Sequence, residues 1–521
     1  MALTERSLGV RGNGRGRQPR PPKARTYQFR TWKTLNLTDA RASIEDSELS
    51  WCENALPIGN GAIQILNGPG ASIATIAQGI ASLWGVPFSS GGVFVSINSD
   101  GSISKITTGG VVTVVAAAGT VTTAARLSMW QGSTALIIDP TKGYFSYDGT
   151  TFTTISASQK GDAVAVFEGR AWISSGRTIS YTAPNTFNDF TAGNGAGSTI
   201  ITDAAFPGNV VELASTLEAL WIVGQGGIEQ LANVTASGVA PNVITSFSIT
   251  NIVSDLGSNA PNSVIPYFRA LALFAPFGPW VLSGVTPQPL TEKLDGLIPQ
   301  LTLTPDVPAA VAVVQNLLCL LFLVTYTGSQ AQAGAGPIPI VIGFTKGKVF
   351  LASQGTTLKW ITTLIVNGVA QAWGADTAGH IFQLFGASNT TPVVSKVQLK
   401  LFDFGLATTA KACYKIGFEF QSPNGQINPT ITVDSEFASQ TTTISASDTL
   451  TLINAIGATL QLQNAALANL TLVSQGTVLA RANVNMWGHY IGVTISSAAD
   501  VPYRIQAVQL EIVQSREWSF P

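Results

Sequence analysis

The sequence predicts an all-β protein: a degenerate β-propeller of six or seven blades, then an antiparallel β-sandwich-like domain, with a flexible basic arm at the N-terminus. Two observations carry the propeller. Short apolar runs of strand length alternate with Gly, Asn and Asp turn signals, and the set recurs every 40–50 residues or so, about the length of one blade. The composition agrees: 51 glycines and 26 prolines supply turns, while Thr, Ser, Val and Ile dominate the rest. A third observation concerns the surface. Charged residues make up only 11% of the chain, less than half the usual quarter, so much of the surface is expected to be covered by partners. At 521 residues the chain exceeds one ordinary core, although a propeller absorbs most of that length. The boundaries read as a basic arm over 1–33, a propeller with an acidic lead-in over 34–390, and the sandwich-like domain over 391–521.

Residues 1–33 hold nine Lys or Arg against a single Glu, whereas the whole chain has a net charge of −1. The segment is rich in Gly, Pro and Arg, has no apolar period, and is expected to be disordered when free. Arg6, Arg11, Arg15, Arg17, Arg20, Lys23 and Arg25 are its candidate contacts to an acidic protein face or to DNA phosphates. No base-reading motif accompanies them, so any DNA contact would be independent of sequence. Tyr27, Phe29 and Trp32 near its end suit an added strand. The N-terminus has no apolar core of the kind a secretory signal needs.

Residues 35–65 form the densest packet of charge in the first half of the chain. Asp39, Glu45, Asp46, Glu48 and Glu53 surround Leu49 and Trp51, with Arg41 as the one base, and the packet closes on Pro57 and the turn pair Asn60-Gly61. The bland reading is a solvated acidic face around one buried ring. A carboxylate site for a hard cation is the weaker reading, since no His or spaced Cys accompanies the acids.

The blades follow. Residues 91–97 and 102–106 form a hairpin across the turn 98–101; strands are expected at 111–115, 121–127, 135–138, 143–147 and 151–155. The unit returns at 163–167, 170–173, 178–181 and 187–190, then at 210–214, 219–223 and 226–231, and at 270–274 and 278–282. The apolar run 309–324 is too short for a bilayer span and is broken by Gln315-Asn316, so it reads as two buried strands around a turn. Strands at 338–344, 347–351, 360–365, 370–373 and 379–384 complete the propeller. A linker is expected at 387–392. Beyond it, 396–402, 413–420, 430–433, 459–462, 489–495 and 505–513 suit a sandwich, with 440–468 an extended loop or projecting hairpin.

Little material for catalysis is present. Cys52, Cys319 and Cys413 have neither a disulfide framework nor zinc spacing, and read as buried thiols of a reducing compartment. His380 and His489 are the only histidines; the first suits a propeller turn and the second a sheet or interface. There is no phosphate-cradling loop and no Gly-x-Ser-x-Gly elbow. The string 146–152 is similar to a sialidase Asp-box with altered spacing, a motif that is a structural turn. No catalytic residue, cofactor or metal ligand is expected, although a carboxylate pair on two strands could still serve a glycosidase.

The packet resembles a known family. Asp39-Ala-Arg41, Glu45-Asp46, Glu48, Trp51, Glu53-Asn54, Pro57 and Gly61 are similar to the opening of the tail nozzle proteins of short-tailed bacteriophages, also called packaged-DNA stabilisation or head-completion proteins. Glu168-Gly169-Arg170-Ala-Trp172 with Tyr181 and Phe190, the run 219–224 with Ile228-Glu229, and 290–294 extend the resemblance over roughly two thirds of the chain. It implies a non-enzymatic virion protein of the tail, made in the host cytoplasm. It implies a homo-oligomeric ring, a hexamer, below the head-to-tail connector, sealing packaged double-stranded DNA and giving it a channel on ejection. Connector (adaptor) and tail fibre or tailspike proteins are the implied partners. The other class compatible with these features is a propeller glycan-binding protein or glycoside hydrolase, for which an export signal would be expected.

Overall fold

Seven antiparallel blades follow one another along residues 80–383. This is a computed structural model, and it describes residues 24–514 except 89–90, 304–305, 333, 355–356, 387–388, 390–391, 422–425, 448, 451, 454–455, 457–458, 461, 464–468, 471, 474–476 and 501. Blade 1 comprises the strands Ile80–Phe88, Gly91–Asn98, Ile103–Thr107 and Val112–Ala116. Blade 2 comprises Arg126–Trp130, Thr134–Asp139, Gly143–Tyr147 and Phe152–Ser156. Blade 3 comprises Ala163–Phe167, Arg170–Ser175, Thr178–Tyr181 and Gly197–Ile200. Blade 4 comprises Val210–Ser215, Leu220–Gly224, Ile228–Ser237 and Ile244–Val253. Blade 5 comprises Ile265–Tyr267, Ala270–Ala275, Gly278–Ser283 and Thr286–Pro289. Blade 6 comprises Ala309–Val314, Leu317–Tyr326, Ile338–Thr345 and Lys348–Ala352. Blade 7 takes Leu358–Val366, Val369–Asp376 and His380–Gln383 from late in the chain and its outer strand, Ala74–Thr75, from before blade 1. That borrowed strand closes the circle.

Turn chemistry sets the hairpins. Gln315 (φ 49°) and Asn316 (φ 62°) are both left-handed, as a two-residue turn joining tightly twisted strands requires, so the run 309–324 folds back as a hairpin. The blades then pack face to face through apolar clusters. Phe88 meets Tyr147 at 5.7 Å between blades 1 and 2, and Trp172 meets Phe247 at 5.6 Å between blades 3 and 4. Phe274 meets Phe322 at 5.4 Å between blades 5 and 6, and Trp84 meets Trp360 at 5.8 Å where blade 7 returns to blade 1.

The second unit is a sandwich of two sheets. One contains Ala55–Pro57, Ile63–Ile65, Arg504–Gln514, Lys411–Gln421 and Val478–Gly488, with Arg25–Phe29 added beside Arg504–Gln514. The other runs Glu48–Glu53, Val393–Phe402, Ile491–Asp500, Thr430–Ser435 and Ser439–Thr443. Ile416, Phe418 and Phe420 of the first share a core with Ile431, Val433 and Ile495 of the second. This second sheet does not stop at the domain edge. Glu48–Glu53 also pairs with Lys348–Ala352 of blade 6, so one eleven-stranded sheet serves both units.

Several expected elements differ. Residues 121–125 are a turn, and the inner strand of blade 2 begins at Arg126, because Thr122 donates its N–H and hydroxyl to Asp139. Residues 187–190 are not a strand; Phe187 and Phe190 lie against Trp130 and Tyr144, and the fourth strand of blade 3 is the glycine-flanked Gly197–Ile200. Ile244–Val253, interrupted by Thr, Ser and Asn, and Val478–Gly488, interrupted by Arg481, Asn483 and Asn485, are strands that their polar residues hid. Most of the linker expected at 387–392 and much of 448–476 lie outside the described residues. No helix among the described residues is long and apolar enough to cross a membrane.

Candidate functional site

The acidic lead-in is the joint between the two units. Trp51 is fully buried on the strand Glu48–Glu53, with its ring 5.5 Å from Tyr326 of blade 6. Its Nε1 donates to Glu53 Oε2 at 3.0 Å, and the same oxygen accepts the Gln332 N–H at 2.8 Å. The other Glu53 oxygen is buried with no hydrogen-bond partner among the described residues. Asn54 (φ 50°) turns the chain and donates to Ser353 at 2.9 Å and to the Val394 carbonyl at 2.6 Å, one residue on each side of the joint.

The remaining packet residues reach outward from this strand to different neighbours. Glu48 is buried and accepts from Asn36 Nδ2 at 2.7 Å, from the Glu45 N–H at 3.1 Å and from Lys293, which follows blade 5. Burial opposes its ionisation, but these donors outweigh that cost and hold the carboxyl below its ordinary range. Arg41 donates from Nε to the Leu399 carbonyl at 2.8 Å and pairs with Asp434 at 2.9 Å; desolvation lowers its pKa despite that partner. Asp39 accepts from Asn36 at 3.0 Å. Glu45 pairs with Lys33 at 3.1 Å and Asp46 with Lys400 at 2.9 Å, exposed contacts of small energetic weight. The Pro57 carbonyl accepts Lys348 Nζ at 2.8 Å. Gly61 (φ 74°) lies under the backbone of residue 30: a Cβ there would stand 2.3 Å from the Arg30 carbonyl oxygen. The carboxylates are thus dispersed among separate partners, and among the described residues no three His, Cys, Asp or Glu side chains gather around a cation position. Burial pushes the Cys319 thiol up to about 11 and Cys413 to about 12.

Of the candidate arm contacts, Arg6, Arg11, Arg15, Arg17, Arg20 and Lys23 lie outside the described residues. Arg25 opens the strand Arg25–Phe29, opposite Ile512. Phe29 stacks on Phe402 at 4.0 Å, Arg30 pairs with Glu419 at 3.0 Å, and Trp32 is buried. The last third of the arm is therefore built into the sandwich edge. His380 opens the blade 7 strand His380–Gln383 rather than sitting in the expected turn, with its Nδ1 2.8 Å from Asp376, and His489 lies in a bend with its Nδ1 2.7 Å from Glu436. Asp148 accepts the N–H groups of Thr150 and Thr151, so the Asp-box-like string is a turn.

The sequence did not single out the propeller axis. The inner strands of all seven blades enclose a cavity of about 340 Å³. Around it stand Arg126 and Glu212, with Asn262 on its wall and Asp306 behind. Asp306 accepts N–H groups from Asn262 at 3.3 Å and Val307 at 2.8 Å, and lies 3.9 Å from Arg126. Glu212 accepts the Leu213 N–H at 2.9 Å. Enclosure by protein pushes its carboxyl up to about 8, an effect that Arg126 offsets only in part and Asp306 adds to. The available signal was a lone charge in each of two otherwise apolar strands.

No protein-family profile and no curated protein matches the chain. Among solved structures it is similar to BamB from Moraxella catarrhalis, at 11% identity and a TM-score of 0.35, over 61% of this chain and 98% of that one. It is also similar to the computationally designed Ika8 protein (10%, 0.35, 61% and 100%) and to BBS1N in complex with ARL6DN (7%, 0.37, 61% and 95%). The assignment of seven blades rests on strand pairing in the chain itself.

Proposed function

We propose that this chain is a structural subunit of a short-tailed phage nozzle: a virion protein that assembles as a hexameric ring below the connector, seals packaged DNA and lines the path of its ejection. The observation that carries the reading is the lead-in. The residues that resemble the nozzle family, Asp39 to Gly61, are the ones that join propeller to sandwich, so the resemblance falls on the part of the chain that sets its architecture. The low overall charge supports burial against partners, and the basic arm suits an acidic connector face. A DNA path, in this reading, runs between copies. The axial cavity holds roughly the volume of eleven waters and has Arg126 on its wall, whereas the major groove of a duplex alone is about 12 Å wide. Fibre or tailspike proteins would attach to the outside of the ring.

The test is assembly. The purified chain is expected to form a closed ring by sedimentation and electron microscopy and to bind isolated connectors. A monomer at all concentrations with no connector binding would overturn the proposal. The glycan-binding or glycosidase reading draws on one observation, the raised Glu212 carboxyl in the axial cavity. Binding or cleavage of a polysaccharide that is lost in Glu212→Gln would favour it.

A further inference from the structure

Sheet edges need cover, because an unpaired strand offers its backbone to any neighbour. Three blades manage this visibly. The outer strand of blade 5, Thr286–Pro289, carries Pro287 and Pro289; blade 6 is continued by Glu48–Glu53; and blade 7 ends on a strand of two residues. Blades 1 to 4 do not. Their outer strands, Val112–Ala116, Phe152–Ser156, Gly197–Ile200 and Ile244–Val253, contain no charged residue and no proline. No Asp, Glu, Lys or Arg occurs between Lys105 and Arg126, or between Glu229 and Asp255. Among the described residues no further strand pairs with these edges.

Three of the four also expose large apolar side chains; blade 3 shows Ile200 alone, 60% exposed, and blades 1 and 4 show two or more each. On blade 1, Val111 is 63% and Val114 64% exposed. Blade 4 carries a hairpin that outruns its own blade: Leu220–Gly224 pairs only as far as Leu231, while the two outer strands continue together to Ser237 and Ile244. The hairpin is braced from blade 3. Buried Arg170 donates to Thr245 at 2.8 Å, and the Val243 N–H donates to Gly193 at 3.0 Å. Its outward side chains remain uncovered, with Val239 81% and Ile244 68% exposed.

We propose that the outer edge of blade 1 and the projecting hairpin of blade 4 are the two complementary faces of a head-to-tail contact between copies of this chain. The inference rests on the ring proposed above and names the surfaces that build it. The occupant follows from charge: a neutral edge is matched by another neutral edge, whereas residues 1–23 are basic and 515–521 carry Arg516 and Glu517. The arrangement follows from position. Blades 1 and 4 are separated by two blades on one side and three on the other, so the faces lie on opposite flanks, as a heterologous ring requires.

Two variants test this: Val112→Lys with Val114→Lys on blade 1, and Val239→Lys with Ile244→Lys on the hairpin. Each is expected to keep the wild-type melting temperature, because the changed side chains are exposed, and to lose self-association by at least about thirtyfold. Mixed together, they are expected to form a one-to-one dimer that grows no further, because each supplies the face the other lacks. If the wild type forms rings and both variants do also, or if the mixture yields no dimer, the surfaces are misassigned while the nozzle proposal stands. A wild type that is monomeric throughout overturns both.

Discussion

Trp51 shows what single residues do here. Its ring fills the joint and its N–H satisfies one oxygen of a buried carboxylate, so Trp51→Ala is expected to cost about 3–5 kcal/mol through the cavity and leave Glu53 short of a donor. Denaturant unfolding measures it; an unchanged midpoint would show that the joint tolerates the loss. Glu212 predicts a pH effect of definite sign. Its folded-state pKa, about 8, lies above the ordinary 4.5, so the folded chain keeps a proton that the unfolded chain has released. That contribution is complete below about 4.5 and is lost as pH rises towards 8. Melting temperature is therefore expected to fall across that window in the wild type and to fall less in Glu212→Gln. Gly61→Ala forces a side chain into the Arg30 carbonyl at a left-handed φ and is expected to destabilise by about 1–3 kcal/mol. The sequence marked Trp51 and Gly61 by their setting among charges and in a turn pair. It did not mark the axial residues as a group, because Arg126, Glu212 and Asp306 meet only when seven strands converge.

At the scale of elements, hairpins were legible where turn chemistry was explicit. Gln315-Asn316 and the Asp148 turn are local, and the strands beside them lie where alternation put them. Strands held by tertiary context were not legible: Gly197–Ile200 has almost no apolar pattern of its own and pairs because Thr178–Tyr181 is beside it. The arm divides at the same level. Arg25–Phe29 is a sandwich strand, so deleting residues 1–23 is expected to leave the melting temperature unchanged, while deleting 1–33 removes the Phe29–Phe402 stack and the buried Trp32 and lowers it by several degrees. Scanning calorimetry of the two truncations separates them. Equal melting temperatures would show that the added strand contributes nothing.

The whole molecule is bound by the sheet that blade 6 shares with the sandwich. A protease cut at 387–392 is expected to leave two fragments that still elute together under native conditions, because Glu48–Glu53 pairs with Lys348–Ala352 on one side and Val393–Phe402 on the other. Fragments that separate freely would show that the ladder is too weak to join the units. Fold class was readable from the sequence because blades repeat. The joint was not, because its pairings span most of the chain. That separation also sets an order in time. During synthesis at about 5–20 residues per second, Glu48–Glu53 emerges tens of seconds before Val393–Phe402, its partner. Through that interval the nascent chain carries a strand, with Leu49 and Trp51 on it, whose sandwich-side edge has no partner yet, so a ribosome-stalled chain ending before residue 393 is expected to recruit holding chaperones at its N-terminal end, and a released full-length chain to shed them.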